Sequence, residues 1–185
     1  MYYKIQVKDF VRIPPEKFKL ELEDAMISEI KDKYEGHISK DIGHVVDVSE
    51  VGDIGEGKII PGDGANFYEV SFTLLTFVPE QKEVMKGVVR DIADFGAFIN
   101  MGPADGMVHI SQTMNDFVSF STDKVLQGRD SNKVLKIDDQ CRARIISLSY
   151  KDISNPKIGL TMRQEGLGKE EWVQNDLKKG DKKDE

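Results

Sequence analysis

The stretch Gly52–Lys58 has the glycine and lysine spacing of a phosphate-binding loop. Such a loop also needs Ser or Thr after the lysine to hold magnesium, and a helix must follow it. Here Ile59 follows the lysine, and Pro61-Gly62 stops a helix. Asp53 and Glu56 would also repel a triphosphate. We therefore interpret the stretch as a strand and a turn, with no nucleotide cofactor.

The histidines and the cysteine predict no metal site. His37, His44 and His109 lie at no metal-binding spacing from another histidine, a cysteine or a carboxylate pair. Cys141 is the only cysteine, which excludes an internal disulfide and a multi-cysteine metal site. No Ser/His/Asp or Cys/His set has recognisable local context. An unrecognised hydrolase stays open, because triad residues are neighbours in space rather than in sequence.

The stretch Phe95–Met101 reads as a strand with an aromatic residue on each face. Phe95 shares the phase of the apolar residues, whereas Phe98 and Gly96 face the other way. His109 follows on the next predicted strand and adds a ring and a donor. Exposed rings on a barrel stack the bases of a single strand, and Gly96 would let a base approach the backbone. The alternative is that both phenylalanines are core and His109 caps a turn.

Composition favours a soluble globular protein in a reducing compartment. The 185 residues are 32% charged and 39% hydrophobic. The net charge of −7 argues against a protein that coats DNA. The acidic excess lies in residues 1–79, whereas residues 80–165 are balanced. We expect a cytoplasmic protein, because no segment reads as a membrane span or a signal peptide.

The fold class predicted is α+β, and residues 1–79 read as a small β-α-β-β domain. Alternating apolar residues predict a first strand from Tyr3 to Ile13, which Pro14-Pro15 ends. Pro15 suits the first position of a helix. That helix repeats apolar residues every four positions and stops at Gly36. Its apolar positions are Phe18, Leu22, Met26, Ile30 and Tyr34, and strands follow at His44–Val51 and Val70–Val78.

Residues 80–165 predict a five-stranded OB-fold barrel, because short strands alternate with turns. Residues 115–133 are polar and are interpreted as a long loop. The charged tail, 166–185, contains Leu167, Trp172, Val173 and Leu177, which suit a short docking helix, and disorder is predicted from Lys178. The predicted strands are Val84–Ile92, Phe95–Met101, Gly106–Ile110, Cys141–Leu148 and Lys157–Met162.

The barrel sequence resembles the S-one-type RNA-binding OB fold. Three stretches carry the resemblance, which spans about residues 80–165: Gly87–Ile99, Asp105–Ser111 and the closing strand Lys157–Arg163. The first contains Asp-Phe-Gly-Ala-Phe-Ile and the second Asp-Gly-Met-Val-His-Ile-Ser. The resemblance implies that the RNA-facing residues are Phe95, Phe98, His109, Asp152 and Lys157.

The whole chain resembles the family of archaeal RNA polymerase subunits E-prime, counterparts of the seventh-largest subunit of eukaryotic RNA polymerase II. The resemblance rests on an N-terminal domain before this barrel, with Pro14-Pro15, Tyr34–Gly36 and Gly62–Ala65, and on the tail Met162–Lys169. It implies a truncated RNP-like N-terminal domain and a non-catalytic chain that pairs with the F subunit of RNA polymerase and contacts emerging single-stranded RNA. The residues implied to dock on the polymerase core are Pro14, Pro15, Gly62, Asp63 and Gly64.

Two other classes of function stay open. The first is a translation-initiation or RNA-exosome adaptor with the same barrel. About 80 residues precede the barrel, unlike in initiation factors of this type. The acidic Asp53 inside the Gly52-x-x-Gly55 spacing argues against an exosome-type KH clamp, and a single cysteine excludes a zinc ribbon. The second is a structural protein whose barrel never touches RNA.

Overall fold

The computed structural model describes residues 1–152 and 156–180. These residues form fourteen strands, two α-helices and two short 3-10 turns. The α+β class is therefore confirmed. The chain divides between Val78 and Pro79 into two units, each described below by itself.

The first unit is an antiparallel sheet with one helix packed on a face. The strand order is β1-β5-β3-β2, and β4 pairs with the beginning of β5. A 3-10 turn at Pro15–Lys17 joins β1 to the helix. The elements are β1 (Tyr2–Ile13), α1 (Leu22–Tyr34), β2 (Ile38–Ser39), β3 (Gly43–Ile54), β4 (Lys58–Ile59) and β5 (Asn66–Phe77).

Alternation in β5 builds the core of this unit, as the sequence predicts. Val70, Phe72 and Leu74 point to one face and are buried there. Met26 and Ile30 of α1 cover them, because residues four apart share one side of a helix. The stretch Gly52–Lys58 is the end of β3, a short connection and the start of β4, and both strands pair with β5. The strand predicted here is confirmed, but the turn is wrong, because the chain continues along β5 and the Gly55 amide donates to the carbonyl of Glu69.

The start of α1 differs from the prediction. The helix begins at Leu22, and Pro15 opens the separate 3-10 turn instead. Phe18, which matched the four-residue repeat, is exposed. The turn is held against the helix because Lys17 Nζ contacts Glu29 Oε1 at 2.9 Å and Ser28 Oγ at 2.7 Å. The repeat alone could not show that the chain bends between Phe18 and Leu22.

The second unit is the predicted barrel. The strand order is β13-β8-β7-β6-β12-β14, and β12 also pairs with β13 to close the barrel. A 3-10 turn at Ile110–Gln112 follows β8. The five predicted barrel strands are confirmed as β6 (Val84–Ala93), β7 (Gly96–Asn100), β8 (Asp105–His109), β12 (Gln140–Ser149) and β13 (Lys157–Thr161), and the others are β9 (Val118–Ser121), β10 (Val125–Gly128), β11 (Val134–Leu135) and β14 (Gly168–Lys169).

The long loop predicted for residues 115–133 is wrong. This segment contains β9 and β10, which form an antiparallel hairpin that β11 extends to three strands. Leu126 and Leu135 are fully buried in the barrel core together with Met114. Each strand is only two to four residues long, so its apolar residues were too few to show a period.

The docking helix predicted in the tail is confirmed as α2 (Glu170–Gly180), except that Leu167 lies before it and is not part of the helix. Val173 is buried, and Trp172 packs against the barrel core. Arg142 of β12 holds the helix start through Nε and Nη2 contacts to Glu170 of 2.9 and 2.5 Å. The disorder predicted from Lys178 is wrong for residues 178–180, which continue the helix, and residues 181–185 lie outside the described ones. In the described part of the chain, neither helix is long and apolar enough to cross a membrane.

Candidate nucleic-acid interface

Phe95 and Phe98 form an aromatic pair on the outside of the barrel. Their ring centroids lie 5.9 Å apart at 88°, an edge-to-face arrangement. Phe95 is 47% exposed, although its sequence phase placed it with the core. The reason is that β7 begins at Gly96, so Phe95 belongs to the preceding turn and escapes the alternation. The alternative that both rings are core is therefore wrong.

Gly96 fixes where this pair lies against the next strand. It pairs with His109 of β8, and a Cβ at this position would lie 2.1 Å from the carbonyl oxygen of Val108. Only glycine therefore permits this close approach of the two backbones. The sequence interpretation, in which Gly96 leaves room for a base, is wrong because the residue is buried against β8.

His109 completes the aromatic cluster at the end of β8. Its side chain is exposed and caps the following 3-10 turn. Nδ1 accepts a hydrogen bond from the Ser111 amide at 3.3 Å and lies 2.9 Å from Ser111 Oγ. An acceptor at Nδ1 puts the proton of the neutral ring on Nε2. The ring thus offers a donor in addition to a flat face.

The outer face continues from Phe98 across the neighbouring strands. Phe98 pairs with Asp91 of β6 and with Met107 of β8, and Gly159 of β13 lies beyond Met107. Lys157 is exposed two residues before Gly159, about 7 Å along the strand. It lies on the side away from His109, because β13 runs parallel to β8.

The five residues predicted to face RNA therefore fall into two groups. Phe95 and Phe98 are in ring contact, and His109 lies on the same face through its pairing with Gly96, whereas Lys157 lies one row further along that face. Asp152 is exposed in the connection that follows Ser149, the residue that pairs with Lys157. The predicted acidic residue, Asp152, and the predicted basic residue, Lys157, thus lie at the same end of the β12–β13 pair.

Ion pairs on the same face are features that the sequence analysis missed. Lys124 of the hairpin contacts Asp91 Oδ1 at 2.7 Å, and this hydrogen bond lowers the pKa of the Asp91 carboxyl. Arg90 contacts Asp105 at 2.5 Å, and Asn100 donates to the same carboxylate. Both carboxylates beside the aromatic row are therefore paired with cations, which reduces their repulsion of a phosphate chain.

The residues predicted for core docking meet at one tip of the first unit. A Cβ on Gly64 would lie 3.5 Å from Pro15 Cγ, and Pro14 caps the same 3-10 turn. Asp63 accepts from Arg12 at 2.8 and 2.9 Å, which lowers its pKa. Gly62 has a φ of +93°, a backbone conformation that favours glycine, whereas the φ of Gly64 is not positive.

Exposed apolar residues surround this tip and were not among the predicted docking residues. Ile59 is 75% exposed, and Ile60, Phe18 and Leu20 are about half exposed. Ile59 pairs with Asn66, which also pairs with the last residue of β1. The pair Ile59-Ile60 directly before a Pro-Gly turn was the signal that could have found them.

Residues 1–152 and 156–180 contain no group of three histidine, cysteine or acidic side chains that could hold a metal ion. Cys141 is buried, and burial raises its pKa to about 12. A thiol in this state is not a nucleophile at neutral pH.

Comparison with known proteins agrees with both units. Residues 8–64 match the model of the SHS2 domain found in the N terminus of Rpb7p/Rpc25p/MJ0397, and residues 78–153 match the S1 RNA binding domain. The chain is 39% identical to DNA-directed RNA polymerase subunit Rpo7 of Saccharolobus shibatae, over 94% of this chain and 97% of that one. The chain belongs to the Rpo7 family. Rpo7 of Sulfolobus acidocaldarius is also 39% identical, over 98% and 100% of the two chains.

A eukaryotic relative extends this similarity. Subunit rpc8 of DNA-directed RNA polymerase III from Schizosaccharomyces pombe is 28% identical, over 83% of this chain and 80% of that one. The resemblance to archaeal polymerase subunits drawn from the sequence is therefore confirmed as membership of the Rpo7 family. The two matched domain models account for the α+β unit and the barrel separately.

Proposed function

We propose that this Rpo7-family chain is a non-catalytic stalk subunit of a cytoplasmic DNA-directed RNA polymerase. It pairs with the F subunit of that polymerase, docks the tip of its first unit on the core enzyme and binds emerging single-stranded RNA on its barrel. The observation that carries the proposal is the 39% identity to Rpo7 subunits along nearly the whole of both chains. Phosphoryl transfer is assigned to the other subunits of the complex.

The aromatic cluster supports the RNA-binding part of the proposal. Phe95 and Phe98 offer ring faces for bases, and His109 offers a ring and the Nε2 donor. Stacking requires unpaired bases, so single strands are favoured over duplex RNA. Every base has a π-face, so the preference among bases should be weak.

The far end of the same face supports a role in holding the RNA backbone. Lys157 is an exposed cation one row away from the aromatic cluster on the same face, where it would hold a phosphate as a point charge. Asp152 would accept a hydrogen bond from a ribose hydroxyl or a base amine. The RNA strand would thus run over β7, β8 and β13, with the aromatic rings at one end and the charged side chains of Lys157 and Asp152 at the other.

Exposed apolar surface supports the protein-binding part of the proposal. At the tip, Ile59 and Ile60 flank the turn of Gly62 and Asp63 and would dock on the core enzyme. On the barrel, Val84, Val88 and Ile146 are also exposed, as expected of surface that a partner such as the F subunit covers.

Affinity capture tests the function as a whole. The tagged full chain, expressed in an archaeal host and purified under mild salt, should bring down polymerase subunits, the F subunit among them. Ribosomal subunits in their place would support the translation-initiation alternative, and exosome ring proteins the decay alternative. Capture without any of these complexes would overturn the proposal.

A further inference from the structure

We propose that the β9–β10 hairpin adds a second nucleotide site to the barrel, next to His109. In this site Phe117 stacks a base and Arg163 holds a phosphate. The inference rests on the proposed function, because the ligand is the same RNA strand that crosses the aromatic cluster. It assigns a role to residues 115–133, which the S-one-type resemblance does not include among the RNA-facing positions.

A cavity of about 790 Å³ lies between the hairpin and the 3-10 turn that follows β8. This volume is within the range of sites that bind small molecules and cofactors, and it is ample for a nucleotide. Among the residues that line the cavity are Ser111, Asn115, Asp116, Phe117, Asp130 and Arg163.

Phe117 presents its ring to solvent from a fixed backbone. It is 77% exposed, the highest value among the large apolar side chains whose exposure the structure describes. Its amide donates to Asp116 Oδ1 at 2.6 Å, and its carbonyl accepts from the Arg129 amide at 2.9 Å. A backbone held in this way loses little conformational entropy when a base stacks on the ring.

The charges around the cavity leave a place for one phosphate. Asp116 accepts from the Ser131 amide and hydroxyl at 2.8 and 2.7 Å and from the Asp130 amide at 3.0 Å. These bonds lower its pKa and commit its oxygens to the hairpin. Arg163 donates from Nε to Asn115 at 3.1 Å, which orients the guanidinium and leaves its other donors for an anion. Asp130, the second acid, suits a ribose hydroxyl.

The cavity is continuous with the aromatic cluster, which identifies its occupant. Ser111 lines the cavity and also hydrogen-bonds His109 Nδ1. Ile110, another lining residue, donates its amide to the carbonyl of Phe95 at 2.8 Å. An RNA strand whose bases stack on Phe95 and His109 therefore places its next nucleotides in the cavity.

The test compares oligouridylates of two lengths, about 5 and about 12 nucleotides, which lie toward the two ends of the range of OB-fold site sizes. Fluorescence anisotropy with the full chain, co-expressed and purified with the F subunit, measures both affinities. Phe117→Ala should lower the affinity for the longer RNA by about fivefold or more and leave the affinity for the shorter RNA nearly unchanged. Phe120→Ala is the matched control, because Phe120 is 39% exposed on the same hairpin but does not line the cavity.

A charge pair gives a second readout. Arg163→Gln should reduce the salt slope of the longer RNA by about 0.7, the value for one phosphate contact on a single strand. Arg129→Gln removes the same charge from the hairpin outside this cavity and should not change the slope. If Phe117→Ala lowers the melting temperature, the comparison of Arg163→Gln with Arg129→Gln decides whether the second site binds RNA.

The outcomes separate this inference from the proposed function. If Phe117→Ala and Arg163→Gln bind both lengths like the wild type while Phe95→Ala is weakened, the second site is wrong and the barrel still binds RNA. If the wild type binds neither length, the RNA-binding function itself is overturned, and the second site with it.

Discussion

At the residue scale, Phe95 is the sharpest probe of the proposed RNA face. The ring lies outside β7 and is half exposed, so Phe95→Ala removes stacking surface without opening the core. We expect a loss of about 1–3 kcal/mol in binding of single-stranded RNA. Phe98→Ala and His109→Ala should give similar losses. Isothermal titration of the chain co-purified with the F subunit, with melting temperatures recorded in parallel, measures this, and Phe10→Ala, an exposed ring of the first unit, is the control.

Lys157 tests the other end of the same face. Because it would contact a phosphate, Lys157→Ala should weaken all RNA sequences alike and reduce the salt slope by about 0.7. Binding titrations at several salt concentrations give the slope. An unchanged slope with unchanged affinity would remove Lys157 from the RNA path.

Gly62 and Gly64 form a natural pair for testing the tip. Gly62→Val forces a β-branched residue to a φ of +93° and should cost about 1–2 kcal/mol in the turn. At Gly64 the added Cβ meets only ordinary contact with Pro15, and there is no positive φ to violate. We therefore expect Gly62→Val to weaken association with the polymerase core more than Gly64→Val, with RNA binding unchanged in both. Equal association of both variants with the core, at wild-type strength, would mean that the turn is only a hairpin end.

At the element scale, the attachment of α2 depends on the pair Arg142–Glu170. The hydrogen bond from Arg142 lowers the pKa of Glu170 below its ordinary value of 4.5. A carboxyl whose pKa is lowered in the folded state stabilises the fold at pH values above its unfolded-state pKa. This contribution is lost as the pH falls through the folded-state pKa. Acidification below about pH 4.5 should therefore loosen α2, and Glu170→Gln should lack this part of the pH dependence.

Trp172 reports this change directly, because it is the only tryptophan and packs on the barrel core. Its emission should shift to the red in Glu170→Gln at neutral pH, and in the wild type on acidification. Glu171→Gln is the matched control on the same helix, since Glu171 is mostly exposed and pairs with Lys169 at the surface. Identical spectra in both variants would show that the salt bridge does not hold the helix.

Sequence could predict these elements where one face of a strand or helix is buried. The phase of Val70, Phe72 and Leu74 follows from a period of two. The predicted ends of the barrel strands lie within two residues of the observed ends. Three of the misses depend on tertiary structure, which a local sequence pattern does not contain. Gly96 is fixed by Val108, the start of β7 decides which way Phe95 points, and the β9–β10 hairpin is recognisable only from Leu126 and Leu135 in the core.

At the scale of the whole molecule, exposed apolar side chains occur on both units. The tip carries Ile59, Ile60 and Leu20, and the barrel carries Ile146 and Phe117, among others. Large apolar side chains exposed in clusters mark surfaces that bind partners or aggregate. The two proposed protein interfaces and the RNA face together account for most of them.

The chain expressed alone should therefore have low solubility, and co-expression with the F subunit should restore it. The physical reason is that a heterodimer interface removes apolar surface from water, at about 25 cal/mol per Å². The measurement is the soluble fraction and the elution volume on size exclusion, alone and with the partner. A co-expressed ribosomal protein of similar size controls for general effects of a second chain. A soluble, monodisperse homodimer of high affinity would contradict the pairing, since the surface reserved for the heterodimer partner would then be covered by a second copy of the chain.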